Sequence, residues 1–469
     1  MNDRVLRLYH RLPSAPQSIA ASLWGFYLRS WRYGSETERL VEEALARERW
    51  SVERWRAFQD ERLASLLHKA ATEVPFYRDQ WNERRQRGDR ASWDRLENWP
   101  ILEKAPLRAA PTAFLADSSN PRAMYAEHTS GTSGTPVTLY WSRRTVREWY
   151  ALCEARCRRW HGVSRHDRWA ILGGQLVVPV ARTKPPFWIW NAGLKQLYLS
   201  SYHLAPDLIA SYLDALARYK ITYILGYSSA LHALAHGALR LGRRDVRLKV
   251  AITNAEPLFA HQRQVIGDAF GCPVRENYGM AELVANATEC EHGRMHVWPE
   301  IGLVEVTDGD RPVARGDSGD LVCTGLFNQD MPLIRYRIGD RGAFASDSVC
   351  GCQRRLPVFA SIEGRSDDVL YTRDGRRVGR LDPVFKADLP VIEAQIVQES
   401  LDRVRVRYVP AAAFDAASSR AISERLRDRM GDVEVVMEPV DRIARTANGK
   451  MRAVICNLPP DQRRQLHVA

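Results

Sequence analysis

Leu63, Leu66, Leu67, Ala70 and Val74 recur at steps of three and four, one apolar stripe of the kind a helix buries on a single face. It stops at Pro75, where a missing N–H and a ring clash end helices, and roughly the first hundred residues read in this way as helical scaffold. From about Met124 short apolar runs alternate with amphipathic stretches. Lys249 to Thr253 predicts a strand, and Ala205 to Tyr219 and Ser229 to Leu241 predict helices, which points to a layered α/β body. Leu303 to Thr307, the Asp308-Gly309 turn and Asp320 to Thr324 predict a local antiparallel β region. Val404, Val406 and Tyr408 then alternate, Arg420 to Met430 is amphipathic and Val433 to Met437 apolar, which predicts a small α+β unit after a junction near Gly364 to Asp368. The expected organisation is a helical part over 1–110, a body over 111–364 and a C-terminal unit over 365–469.

The 469 residues suffice for about three folding units, and 45% hydrophobic with 26% charged residues excludes disorder and a membrane-embedded body. Lys and Arg exceed Asp and Glu by 68 to 56, a net +12 that suits anionic small molecules such as nucleotides, or anionic lipid. The basic residues are spread without long blocks, so no nucleic-acid partner is expected. Ser18 to Leu28 is apolar and aromatic but shorter than the roughly 20 residues a spanning helix needs. It predicts a packed or interfacial helix, with no transmembrane segment and peripheral membrane contact left open. Eight cysteines without a secretory signal predict a reducing, cytoplasmic setting. The oligomeric state is not legible; a dimer is compatible.

His128-Thr129-Ser130-Gly131-Thr132-Ser133-Gly134-Thr135-Pro136 packs hydroxyls and glycines into a short span after a predicted strand. Glycines let backbone N–H groups turn inward on an anion and hydroxyls add neutral donors, so such a loop can wrap polyphosphate. An ordinary polar turn has the same composition, and the Gly-Lys-Ser/Thr ending of a Walker A loop is missing.

Four further segments follow in order: Asn277-Tyr278-Gly279-Met280-Ala281-Glu282, Arg335-Tyr336-Arg337-Ile338-Gly339-Asp340, Glu363-Gly364-Arg365-Ser366-Asp367-Asp368 and Arg445-Thr446-Ala447-Asn448-Gly449-Lys450. Together the five motifs resemble those of the adenylate-forming superfamily of acyl-CoA synthetases and adenylation domains. Val74-Pro75-Phe76-Tyr77, Ala255-Glu256-Pro257, Met331-Pro332-Leu333-Ile334-Arg335-Tyr336 and Gln395-Ile396-Val397-Gln398 are similar to its phenylacetate-CoA ligase branch, in particular to the members associated with capsular polysaccharide.

This resemblance implies an α/β fold with a large multi-subdomain N-terminal domain and a small mobile α+β lid. It implies an AMP-forming ligase that activates a small-molecule carboxylate with ATP and passes the acyl group to CoA or another acceptor. An adenylyltransferase or carboxylate-amine ligase in the same fold, acting in polysaccharide or natural-product biosynthesis, is the alternative, and a degenerate binding protein a third. Thr129, Ser130, Gly131, Thr132, Ser133, Gly134 and Thr135 would cradle phosphates. Tyr278 would stack on adenine, lined by Asn277, Gly279 and the Ala255-Glu256-Pro257 turn, and Asp340 and Arg365 would meet the ribose. Glu282 would hold Mg2+, Asp367 would be the hinge, and Lys450 would reach the α-phosphate and carboxylate. Two departures stand out: Ala281 replaces a hydroxyl residue and Thr135 a lysine common in relatives.

Cys290 with His296, and Cys350 with Cys352, form two donor pairs that suit tetrahedral zinc, and members of the branch look to carry such a structural Zn2+. His292 competes for the histidine position. His296 is favoured because Met295 and Val297 flank it as in a strand, with Cys290 in the preceding turn; buried reduced cysteines without metal are the alternative. Cys153 and Cys157 share one helical face and read as core. Gly173, Gly174 and Tyr227, with Trp188 to Trp190 and Tyr202, fall where an acyl pocket could form, and neither the acid nor the acceptor is legible.

Overall fold

The computed structural model describes residues 9, 12–128, 137–175, 177–179, 182–205, 207–347, 349–365, 370–373, 377–378, 384, 389–445 and 451–465. Helices α1 (Ser14–Arg32), α2 (Thr37–Arg47), α3 (Val52–Glu73), α4 (Pro75–Gln86) and α5 (Lys104–Ala109) open the chain. α3 begins where the Ser51 hydroxyl accepts the Arg54 N–H at 3.3 Å, and it buries Leu66, Leu67 and Ala70 of the predicted stripe together with Trp55. Pro75 ends that stripe and also opens α4, at a first-turn position where its missing N–H costs nothing.

The hairpin β1 (Tyr125–His128) and β2 (Thr138–Trp141) leads through α6 (Arg143–Cys153) into β3 (Trp169–Gly173), β4 (Trp188–Asn191), β5 (Gln196–Ser200), α7 (Ile209–Arg218), β6 (Tyr223–Tyr227), α8 (Ser228–Arg240), β7 (Val250–Asn254), α9 (Ala260–Phe270) and β8 (Val274–Gly279). There follow β9 (Asn286–Glu289), β10 (Met295–Val297), β11 (Gly302–Asp308), β12 (Arg311–Pro312), β13 (Gly319–Gly325), β14 (Tyr336–Phe344) and β15 (Val358–Arg365). From β3 onward these strands form one 13-stranded sheet in the order β12-β11-β13-β14-β15-β10-β9-β8-β7-β6-β3-β5-β4. The block β8-β7-β6-β3-β5 is parallel. Its strands read as apolar runs because both faces are buried: Tyr212, Leu231, Leu234 and Phe270 of the covering helices close on Leu172, Ile224 and Ala251 on one face, and Val163 and Trp169 pack with Tyr223, Val250 and Ile252 on the other. The antiparallel region expected around residues 303–324 is not a separate sheet; it continues the parallel block through β8 and β9, where Asn277 faces Thr288.

After β16 (Leu370–Tyr371) and β17 (Arg377–Val378), strands β18 (Val391–Ser400), β19 (Arg403–Pro410), β20 (Glu434–Pro439) and β21 (Val454–Cys456) form a four-stranded sheet in the order β20-β19-β18-β21. Helix α10 (Ala416–Met430) packs Ile422, Leu426 and Met430 on Ile396, Val404 and Val406, a core separate from those of the body. Helix α11 (Pro460–Gln465) closes the described chain.

Candidate active site

The parallel strands β3, β6, β7 and β8 end at Gly173, Tyr227, Asn254 and Gly279, and in open α/β sheets the carboxyl ends of such strands are where ligands bind. Three expected acyl-pocket residues meet here. A Cβ on Gly173 would stand 4.0 Å from the Tyr227 ring, while Ser201 Oγ donates to the Gly173 carbonyl at 2.9 Å and Tyr202 to that of Gly174 at 3.0 Å. Burial pushes the Tyr227 phenol up to about 12, so it stays a neutral hydroxyl. Trp188 and Trp190 do not join them. They pack against Tyr212 and Tyr219 of the α7 region, with ring centroids 6.2 and 5.0 Å apart, and belong to the core.

Beyond β7 the chain turns sharply at Ala255, whose φ of 63° is unusual for a residue with a Cβ and marks a strained turn held in place by its surroundings. Glu256, expected with this turn to line the adenine pocket, has both carboxylate oxygens engaged. Its Oε2 accepts the Ser229 N–H at 3.0 Å at the start of α8, and its Oε1 accepts the Met451 N–H at 2.7 Å, so one carboxylate joins the body to the C-terminal unit. Asn277 also differs, because strand alternation sends its side chain inward, where Oδ1 accepts from Thr288 at 2.7 Å and from Cys157 at 3.3 Å. Cys157 is buried, as its place on a helical face implied.

Tyr278 and Asp340 come together: the phenol donates to Asp340 Oδ2 at 2.7 Å. Burial first, and the carboxylate second, raise the phenol's proton affinity well above its ordinary value. The β13–β14 pairing carries a bulge in which Ile338, Gly339 and Asp340 oppose the single residue Leu321, and Gly339 adopts a φ of 89°, a combination that re-aims Asp340. Arg365 pairs with Asp340 across β14 and β15.

Glu282 is buried, accepts the Tyr336 hydroxyl at 3.3 Å and lies 3.5 Å from Lys104 Nζ of α5. Mg2+ takes one or two carboxylates and leaves its other positions to water and phosphate, and Glu282 offers one such carboxylate, whose Oε1 here faces Tyr336 and Lys104. Lys104 escaped the motif reading because it stands far from Glu282 along the chain and carries no signal beyond a lysine at a helix start. The phosphate-loop residues Thr129 to Thr135, the hinge Asp367 and Lys450 lie outside the described residues. The loop's flanks form the β1–β2 ladder, with His128 opposite Thr138.

Cys290, His296, Cys350 and Cys352 present four donor atoms within 4.8 Å of one another. The Cys290 and Cys350 sulfurs are 3.6 Å apart and Cys352 Sγ is 3.2 Å from His296 Nε2, near the roughly 3.5–3.8 Å that bonds of about 2.0–2.3 Å set in a tetrahedron. The β9–β10 turn supplies Cys290, β10 supplies His296, and the β14–β15 connection supplies Cys350 and Cys352. His292 is not among the donors; it lies over Gly351, where a Cβ would meet its ring at 2.9 Å. Next to Cys290, Glu289 accepts the Glu276 N–H at 2.8 Å and pairs with Arg263, so the cluster braces the strand that carries Tyr278.

Burial first, and neighbouring Glu289 second, push Glu276 up to about 7. A carboxyl whose folded-state pKa lies above its unfolded value holds its proton in the native state while the unfolded chain has lost it. Its presence therefore lowers stability as pH rises from about 4.5 to about 7, with no further change above. Glu276→Gln should raise the thermal midpoint at pH 8, with a gain on the order of 2 kcal/mol, and leave it unchanged near pH 4.5. Differential scanning calorimetry at the two pH values checks this; an equal shift at both would remove Glu276 as the titrating group.

A parallel block continued by antiparallel strands, with the Tyr278–Asp340 contact beside it and the C-terminal unit joined to it through Glu256, is the frame against which known proteins compare. Residues 55–328 match the AMP-binding enzyme family and residues 370–457 the CapK C-terminal domain. The chain belongs to the AMP-binding enzymes and is similar to phenylacetate-CoA ligases. Protein CapK of Staphylococcus aureus is 25% identical over 464 residues, covering 96% of this chain and 99% of that protein. Phenylacetate-coenzyme A ligase of Thermus thermophilus is 25% identical over 446 residues, 86% of this chain and 96% of that one. A crystal structure of 2-hydroxyisobutyryl-CoA ligase in the postadenylation state, in complex with R3-HIB-AMP, superposes with a TM-score of 0.67 at 23% identity, covering 90% of this chain and 94% of that one.

Proposed function

We propose that this enzyme activates a carboxylic acid with ATP and hands the acyl group to CoA. A carboxylate oxygen attacks the α-phosphorus and pyrophosphate leaves; the CoA thiol, losing its proton, then attacks the acyl carbon and AMP leaves. The supporting observation is the convergence at one sheet edge of the Tyr278–Asp340 pair, the Gly173–Tyr227 pocket and the Glu256–Met451 contact. Asp340 accepts from the ribose hydroxyls, Tyr278 backs the adenine, and Thr129 to Thr135 surround the phosphates. Glu282 holds Mg2+, which when bound neutralises phosphate charge, and Lys104 beside it supplies a cation in a site whose loop has Thr135 in place of lysine. Cys290, His296, Cys350 and Cys352 hold a structural Zn2+ with no position left for water.

Acid-dependent exchange of labelled pyrophosphate into ATP, run over a panel of aromatic, hydroxy, amino and fatty acids, tests the reading. Exchange with none of them would defeat it. Asp340→Ala should weaken ATP·Mg binding by on the order of thirtyfold or more, the loss of at least one hydrogen bond to a charged acceptor. Unchanged affinity in calorimetric titration would remove Asp340 from the nucleotide site.

A further inference from the structure

Helix α1 lies on β4, the outermost strand at one edge of the large sheet. Its seat is close. A Cβ on Gly25 would fall 1.9 Å from Asn191 Oδ1, one on Gly193 would fall 2.4 Å from the Phe26 nitrogen, and Ser22 Oγ accepts the Ala192 N–H at 3.0 Å. These contacts fix the rotation of the helix, with Gln17, Gly25 and Leu28 buried beneath it. At about 100° per residue, Ile19, Leu23, Phe26 and Tyr27 fall on the opposite arc, and Trp24 lies at the rim beyond Tyr27, next to Gln17. They are 64%, 66%, 54%, 48% and 50% exposed.

A helix packed on a soluble body ordinarily turns polar residues outward, and this one does the reverse. Five of the eight large hydrophobic residues exposed among the described residues stand on this one helix, which sets the patch apart from scattered surface exposure. Its chemistry selects a lipid surface. Ser14–Arg32 contains no Asp or Glu, Arg29 is exposed at its end, and exposed Arg143 lies beside it with its guanidinium 4.8 Å from the Trp31 ring. The preceding sequence adds Arg4, Arg7 and Arg11 against Asp3, in a chain of net charge +12. Trp24 and Tyr27, with ring centroids 4.9 Å apart, have the apolar body and polar tip that favour the headgroup boundary. No described helix is long and apolar enough to cross a membrane.

We propose that α1 is a membrane-surface anchor whose outer face inserts at the headgroup boundary of an anionic bilayer, with the basic residues around it meeting the lipid phosphates. The inference is independent of the reaction assigned above. Flotation of the full chain with phosphatidylcholine vesicles containing about 30% phosphatidylglycerol tests it. Binding should be at least tenfold stronger than to pure phosphatidylcholine, weaken as salt rises, and fall at least tenfold in Leu23→Glu/Phe26→Glu. Because both side chains point away from the body, that variant should keep its thermal midpoint and its pyrophosphate exchange. No binding by the parent chain, or equal binding by the variant, overturns the proposal. Sedimentation velocity run in parallel names the other occupant: a dimer that Leu23→Glu/Phe26→Glu dissolves, with no vesicle binding, would give this face to a second copy of the chain.

Discussion

Lys450→Ala is expected to abolish acyl-adenylate formation from acid and ATP, by about a hundredfold or more, while sparing acyl transfer from a supplied acyl-adenylate. An ammonium beside the α-phosphate offsets the charge that gathers on the pentavalent phosphorus and on the incoming carboxylate, and that need ends once pyrophosphate has left. The chain next to Lys450 is held at the site: Met451 donates its N–H to Glu256 Oε1 at 2.7 Å while Glu256 Oε2 takes the Ser229 N–H at 3.0 Å. Glu256→Gln replaces a charge-assisted contact by a neutral one and turns an NH2 toward a donor, so it should slow the first half-reaction about tenfold or more and the second little. Asp367→Pro, by stiffening the hinge, should impair the second step more than the first. Pyrophosphate exchange reads the first step, and quenched-flow transfer from synthetic acyl-adenylate reads the second. Equal losses in both for Lys450→Ala would end the two-state lid reading.

Cys352→Ser should release the zinc, and elemental analysis of purified protein should fall from one zinc per chain to near zero. A serine hydroxyl is a poor ligand beside two thiolates, and the β9–β10 turn and β14–β15 connection would lose the ion that joins them. The expected loss exceeds about 3 kcal/mol, because the unligated polar cluster would stay partly buried. It reaches the reaction through Glu289, which ties the turn to β8 and so to Tyr278. His292→Ala should keep the metal, since His292 only covers Gly351. A zinc-free, folded and fully active parent protein would defeat the assignment, and zinc kept in His296→Ala but lost in His292→Ala would reverse the choice of histidine.

What was legible in the sequence was what local chemistry determines. The stripe from Leu63 to Val74, the alternation at Val404 to Tyr408 and the apolar run at Lys249 to Thr253 each became the expected element, because burying a 3.6- or 2-residue pattern leaves one local solution. The five ordered motifs named the family, since each concentrates unusual residue types in a few positions. Gly173, Gly174 and Tyr227, read only from their place in the chain, meet at the strand ends.

Tertiary structure decided wherever a side chain's role depends on which way it faces and on residues distant in sequence. Strand parity turned Asn277 inward to Thr288 while its neighbour Tyr278 met Asp340. Glu256, one residue inside a motif, joins the body to the C-terminal unit, because the start of α8 and Met451 both bring N–H groups to it. Lys104 reached Glu282 only once α5 was laid beside β14. The outward face of α1 was settled in the same way, since its composition suits a core helix equally well and only the close seat of Gly25 on Asn191 determines which side is left to the surroundings.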